Sequence, residues 1–356
     1  MLIGRKSFGQ TADGMTVDQY TVKNQSGTTL KVMTYGASIT ALEAADKDGL
    51  TENIVLGFDS ISDYEAHDAY FGATIGRVCN RIANGRFILD GKSFRLATNN
   101  ESSHLHGGVK GFDKAIWKAD TVPGNYEAGI RFSYSSKDGE EGYPGNLDVT
   151  VLYTLNNDND LRIEYTARTD AKTVVNLTNH VYWNLSGGRS KTIHDHLLHI
   201  DADQYLAVDQ HSIPTLAKAV KGTAMDFTEA VPVGQRLADF GAEMNDPTGY
   251  DHCYVLRQAH GRLASVARVE DPASGRIMEV LTTEPGIQLY TGNFLDGSLA
   301  SGGHTRYTAL CLETQHFPDS PNRPDYPSVE LGPGEQYQSK TIFRFRYRIS
   351  KKLKRI

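Results

Sequence analysis

Glu313 stands in the string Cys311-Leu312-Glu313-Thr314-Gln315-His316-Phe317-Pro318-Asp319, directly after the apolar Ala309-Leu310. A carboxylate in such a place is either desolvated to no purpose or aimed into a pocket, because burying an unpaired charge is costly. The stretch 309–312 reads as a buried strand, and strand residues two apart share a face. Cys311, Glu313 and Gln315 therefore look the same way. A glutamate held like this is a candidate general base, and a base of this kind works against an acid on the other side of the reacting bond.

Histidine is the natural acid because its ordinary pKa lies near neutral pH. His180 lies in Val174-Val175-Asn176-Leu177-Thr178-Asn179-His180-Val181-Tyr182-Trp183-Asn184-Leu185. Asn176, Thr178, His180, Tyr182 and Asn184 share one parity. If the stretch is a strand, they form a hydrogen-bonding face suited to sugar hydroxyls, with rings for stacking. A core histidine satisfied by Asn or Thr is the plainer reading. His104-Leu105-His106-Gly107-Gly108 places two histidines on one strand face before glycines that permit close backbone approach. That pair fits a substrate-binding or structural role, or half of a metal site, although no acidic residue follows until Asp113.

Further donors and acceptors stand near glycines. Gly76-Arg77-Val78-Cys79-Asn80-Arg81-Ile82-Ala83-Asn84-Gly85-Arg86 offers guanidinium forks that match vicinal sugar oxygens. Arg77 and Arg86 read equally well as partners of surface carboxylates, Arg81 less so between Asn80 and an apolar residue. Asp251, after Gly249-Tyr250, is either a turn-former or an acceptor for two hydroxyls. In Ile287-Gln288-Leu289-Tyr290, Gln288 and Tyr290 share a face that is either exposed or part of a site.

The elements that must position these groups are strands. Segments 87–89 and 92–96 flank Asp90-Gly91, a strong hairpin signal. Segments 147–155 and 161–167 flank an Asn/Asp cluster, and 264–269 and 276–281 flank Asp271-Pro272-Ala273-Ser274-Gly275. The stretch 341–348 alternates aromatic and basic residues. Helical signals are short: 60–70 and 233–240 could each hold a turn or two. Many short strands, 34 glycines and frequent turn clusters indicate an all-β fold, a large antiparallel β-sandwich. Without a Pro/Gly/Ser linker or a fixed repeat, residues 1–356 are expected to form a single domain.

The 37 basic and 43 acidic residues give a net charge of −6, which disfavours nucleic acid or an anionic membrane as partner. The basic run Lys351-Lys352-Leu353-Lys354-Arg355 reads as a solvated tail. Three cysteines, Cys79, Cys253 and Cys311, do not make a disulfide framework and fit a reducing compartment. Neither a signal-peptide pattern nor a long apolar run is present. The expectation is a cytoplasmic monomer or homodimer that acts on a small molecule, with no nucleic-acid or membrane partner.

Taken together and in order, the motifs carry a resemblance. They are Asn80-Arg81-Ile82, Leu105-His106-Gly107-Gly108, Asn176-Leu177-Thr178-Asn179-His180, Gly222-Thr223-Ala224-Met225-Asp226-Phe227, Tyr250-Asp251-His252, Gln288-Leu289-Tyr290-Thr291-Gly292-Asn293 and Leu312-Glu313-Thr314-Gln315. Spread over most of the chain, they resemble the aldose 1-epimerases, or galactose mutarotases. Trp183 departs from the phenylalanine common in that family and bears on the shape of the pocket wall.

The resemblance implies a galactose mutarotase-like supersandwich that interconverts the α and β anomers of free aldoses such as galactose and glucose. It implies Glu313 as the base on the anomeric hydroxyl and His180 as the acid on the ring oxygen. His106 would support the ring-oxygen side, and Asn80, Arg81, Tyr182, Asp251 and Gln288 would hold hydroxyls. Proton transfers suffice, so no metal or organic cofactor is expected. The pair would work with Glu313 ionised and His180 protonated. Other readings are a glycoside hydrolase pairing Asp251 with Glu313, a non-catalytic sugar-binding module, and a cupin-like metalloenzyme.

Overall fold

Alternating apolar and polar residues bury one face of a strand, and most of this chain is written that way. In the computed structural model, which describes residues 1–244, 249–258 and 261–348, the result is a large antiparallel β-sandwich. The first sheet is a meander of Leu2–Gln10, Thr16–Lys23, Thr29–Met33, Ile39–Ala45 and Thr51–Asn53. The largest runs in the order Lys118–Val122, Glu127–Ser136, Leu147–Asn156, Asp160–Thr169, Tyr337–Tyr347, Arg276–Thr282, Ala264–Glu270, Leu197–Ile200 and Val231–Pro232. The third orders Pro214–Ala219, Ala202–Val208, Asp251–Leu256, Gly286–Tyr290 and Cys311–Gln315. Only Asp201 separates Leu197–Ile200 from Ala202–Val208, so the chain passes from one sheet to another there. One apolar cluster draws on all three sheets, with Val22 and Leu30 from the first, Ile130 and Tyr153 from the second, and Tyr254 and Leu312 from the third.

The three expected hairpins form. Asp90 and Gly91 both take positive φ (48° and 77°), the geometry of the tight turn that Asp-Gly favours. The alternating C-terminal stretch becomes Tyr337–Tyr347, paired with Asp160–Thr169 on one side and Arg276–Thr282 on the other. Its phenylalanines are buried, while Arg344 reaches Asp160 at 3.0 Å. The helices lie where expected, at Ile61–Ala66 and Val233–Met244, and the second is longer than a turn or two. Trp183 is buried against Phe343 and Phe345, so it belongs to the core and not to a pocket wall. All three cysteines are buried and free. Among the described residues, no helix is long and apolar enough to cross a membrane. The basic run 351–355 lies outside the described residues.

Candidate active site

Register builds the floor of the site. Asp251, Tyr290 and Cys311 form one rung across Asp251–Leu256, Gly286–Tyr290 and Cys311–Gln315, and Cys253, Gln288 and Glu313 form the next rung on the same face. Above this face opens a cavity of about 420 Å³ whose walls include Glu313, His180, His106, Asn80, Arg81, Tyr182 and Asp251. The outer strand Cys311–Gln315 would leave backbone groups unpaired. Just past its end, Asn176 pairs both backbone groups of His316, accepting from N at 3.0 Å and donating to O at 3.1 Å. Thr178 Oγ1 donates to Thr314 O at 2.9 Å.

This corrects the expected hydrogen-bonding face on 176–184. Only Thr178–Asn179 is a strand, and Asn176, Thr178 and Asn184 direct their side chains to backbone carbonyls. His180 and Tyr182 alone of that parity line the cavity. The imidazole of His180 lies between the rings of Tyr182 (5.0 Å between centroids, 28°) and Tyr70 (5.8 Å, 27°).

His180 Nε2 is 3.6 Å from Glu313 Oε1, with both side chains almost wholly buried. Glu313 Oε2 has no protein hydrogen-bond partner. Burial, reinforced by the Asp251 carboxylate, pushes the Glu313 carboxyl well above the usual carboxylate range, while the Arg81 guanidinium pulls it back. Burial pushes His180 down to about 4. Burial thus biases each group towards its neutral form, Glu313 as a carboxyl and His180 as an imidazole. The ionisation implied by the resemblance for the working pair, Glu313 charged and His180 protonated, is one that burial opposes.

His106 is held from behind. It leaves the short strand His104–Leu105 at a positive φ of 52°. The backbone N–H of Asn80 donates to its Nδ1 at 3.2 Å, and its own N–H donates to Asn80 O at 3.1 Å. A nitrogen that accepts from an amide carries no proton, so neutral His106 bears its proton on Nε2. Burial, then the neighbouring His180 and Arg81, keep it neutral by pushing its pKa well below the usual range. Gly107 must be glycine, since a Cβ there would fall 1.8 Å from Gly76 O.

The expectation that His104 and His106 share a face fails at that backbone turn. His104 points into the protein, with Nε2 2.8 Å from Tyr143 Oη and Nδ1 2.7 Å from Ala97 O, and so is not half of a metal site. The ligand atoms of His106, His180 and Glu313 lie within 4.8 Å of one another, the composition from which two-histidine, one-carboxylate metal sites are also made.

Arg81 faces Asp251 across the cavity wall, with Nη1 3.5 Å from Oδ2, and its Nε donates to Asn100 Oδ1 at 3.1 Å. Gln288 stands one step back, its Nε2 donating to Asp251 Oδ1 at 2.7 Å. Arg77 does not meet surface carboxylates. It is buried and donates to Ser136 Oγ and to the carbonyls of Ser136, Lys137, Pro144 and Gly145. Sequence reasoning missed Tyr70, which flanks both histidines, and Asn100, which orients Arg81. The Asn-Asn pair at 99–100, shortly before His104, was the available signal for Asn100.

Comparisons with known proteins converge. A sequence model of the family described as aldose 1-epimerase matches residues 18–344. The galactose mutarotase of Bos taurus is 44% identical over 348 residues, covering 96% of this chain and 98% of the relative. The galactose mutarotase of Homo sapiens gives the same identity and coverage. The crystal structure of a GalM/aldose epimerase homologue from C. elegans is similar with a TM-score of 0.83 at 31% identity, covering 92% of this chain and 98% of that one.

Proposed function

The chain belongs to the aldose 1-epimerase family, isomerases that interconvert aldose anomers, and on that premise we propose that Glu313 and His180 carry the proton transfers. The supporting observation is the 3.6 Å approach of His180 Nε2 to Glu313 Oε1 inside a cavity bordered by Arg81 and Asp251.

The pair shares one proton. When a sugar enters, its anomeric hydroxyl donates to Glu313, and the Arg81 guanidinium adds to the preference for carboxylate. The proton then resides on His180, where the Asp251 charge and the flanking tyrosine rings favour a cation. Glu313 removes the anomeric hydroxyl proton while His180 Nε2 protonates the ring oxygen, and the bond between the anomeric carbon and the ring oxygen breaks. The open aldehyde rotates about its bond to the next carbon. Reclosure on the other face returns both protons by the reverse transfers, so the net reaction consumes nothing. His106 supplies a neutral N–H donor to the ring-oxygen side.

Asn80, Arg81, Tyr182 and Asp251 hold the other hydroxyls, with Gln288 fixing Asp251. Asp251 already accepts from Gln288 and faces Arg81, an arrangement that suits binding better than a glycosidase's second carboxyl. Each positioned acid or base contributes about 10²–10⁴-fold, or roughly 3–5 kcal/mol of barrier. Two such groups suffice for a reaction that water already performs slowly.

Galactose and glucose are the substrates to test. Polarimetry of freshly dissolved α-galactose and α-glucose should show faster approach to equilibrium rotation with the protein than without it. Unchanged relaxation of both sugars would refute the function, and release of reducing sugar from glycosides would replace it.

A further inference from the structure

Cys311 Sγ lies 3.6 Å from Nδ1 of His180, while the other ring nitrogen, Nε2, faces Glu313. We propose that Cys311 is a positioning residue for the reaction: its sulfur accepts the Nδ1–H of His180 and fixes the tautomer whose Nε2 carries the mobile proton. This inference rests on the roles proposed above for His180 and Glu313.

A functional histidine commonly gives its second N–H to a carboxylate or a carbonyl, which orients the ring and raises its basicity. A thiol sulfur is a weak, uncharged acceptor. It orients the imidazole while adding little to the basicity of Nε2, which leaves the protonated ring a stronger donor toward a sugar's ring oxygen. Burial holds the Cys311 thiol well above its usual pKa, so it stays neutral. No thiolate is present to stabilise the imidazolium.

The fold supplies this contact together with the base. Cys311 and Glu313 are two residues apart on one strand face, so a single register sets both the base and the orienting partner of the acid. The other groups around His180 come from separate elements. Glu313 and Asp251 are the carboxylates, His106 lies 5.2 Å away edge to face, and Tyr70, Tyr182 and Tyr290 surround the ring.

The test combines ¹⁵N-histidine NMR with rate–pH profiles for wild type, Cys311→Ser and Cys311→Ala. The His180 signals are assigned by their loss in His180→Asn. In the neutral wild-type ring, Nδ1 should be protonated and Nε2 should not. Cys311→Ala should lower kcat by about 10–100-fold with a smaller change in KM. Cys311→Ser, a stronger acceptor, should stay active and move the acid limb of kcat/KM to higher pH by stabilising the imidazolium. A wild-type ring protonated on Nε2 alone, or Ser and Ala profiles that superimpose on wild type, would overturn the proposal. An Nδ1–H ring in a protein that fails to accelerate mutarotation would instead fault the reaction assignment.

Discussion

Glu313 and Gln288 are direct cross-strand partners, and Gln288 passes the contact on by donating to Asp251 at 2.7 Å. The proposed base and the Asp251–Arg81 pair are thus fixed by the register of three adjacent strands, with Gln288 on the middle one. A slip of one residue would turn Glu313 to the opposite face of the sheet. The site depends on that pairing as much as on the identity of its residues.

The first prediction concerns pH. In the proposed mechanism the Glu313–His180 pair works with one shared proton, so kcat/KM should be bell-shaped, with limbs that belong to the pair and not to either residue. The acid limb marks uptake of a second proton, and His180, pushed down to about 4, places it well below neutrality. The alkaline limb marks loss of the shared proton and lies above the ordinary carboxylate range because burial raises Glu313. Polarimetric rates across acid to alkaline pH check this, and a flat profile would count against the pair.

Arg81 should act on binding. Arg81→Ala removes donors from the cavity and leaves Asp251 with Gln288 alone among these contacts. Loss of hydrogen bonds to a charged group costs about 1.5–3 kcal/mol, so KM should rise by roughly 10–100-fold, with kcat changing less. Steady-state kinetics on α-galactose separates the two. Arg81→Lys should restore little, because a point charge does not reproduce the fork.

Acid should destabilise the fold through buried neutral histidines. His180 and His196 are pushed down to about 4 by burial, against an unfolded value of about 6.5. A pKa depressed in the folded state gives stability that is full above pH ~6.5 and is lost as pH falls through about 4. At pH 4.5 each histidine should account for roughly 2–3 kcal/mol of the loss. His196 accepts from Leu185 N at 2.9 Å, a bond that a glutamine carbonyl can replace. Urea melts at pH 7 and 4.5 should show His196→Gln losing less on acidification than wild type does.

Arg77 is a structural anchor. Its guanidinium donates to five acceptors, four of them backbone carbonyls. Each buried acceptor left unpaired costs about 1–3 kcal/mol, so Arg77→Ala should destabilise by roughly 3 kcal/mol or more, or fail to fold. Chemical denaturation measures it, and a loss under about 1 kcal/mol would contradict the role.

Period-two parity made Glu313 legible, because a carboxylate on the buried face of an apolar strand has few innocent explanations. The hairpin at Asp90-Gly91 was legible because its turn needs residues that tolerate positive φ. Parity failed where the backbone is irregular. His106 turns out of its strand at a positive φ, which separates it from His104, and 176–184 spends its polar side chains on backbone in and beside the strand Cys311–Gln315. Tyr70 and Asn100 reach the site from loops far apart in sequence, a convergence that local pattern does not encode. The bias of both groups towards their neutral forms was not legible, because burial on both sides is a property of the packed cavity, not of either segment.

The most direct test is the mutarotation rate of α-galactose at saturating sugar in wild type, Glu313→Gln, His180→Asn and the double variant. Each single variant should lose about 10²–10⁴-fold in kcat while still binding sugar. The double variant should lose far less than the product of the two, as groups sharing one proton transfer do. A Glu313→Gln rate within a few-fold of wild type would contradict the account.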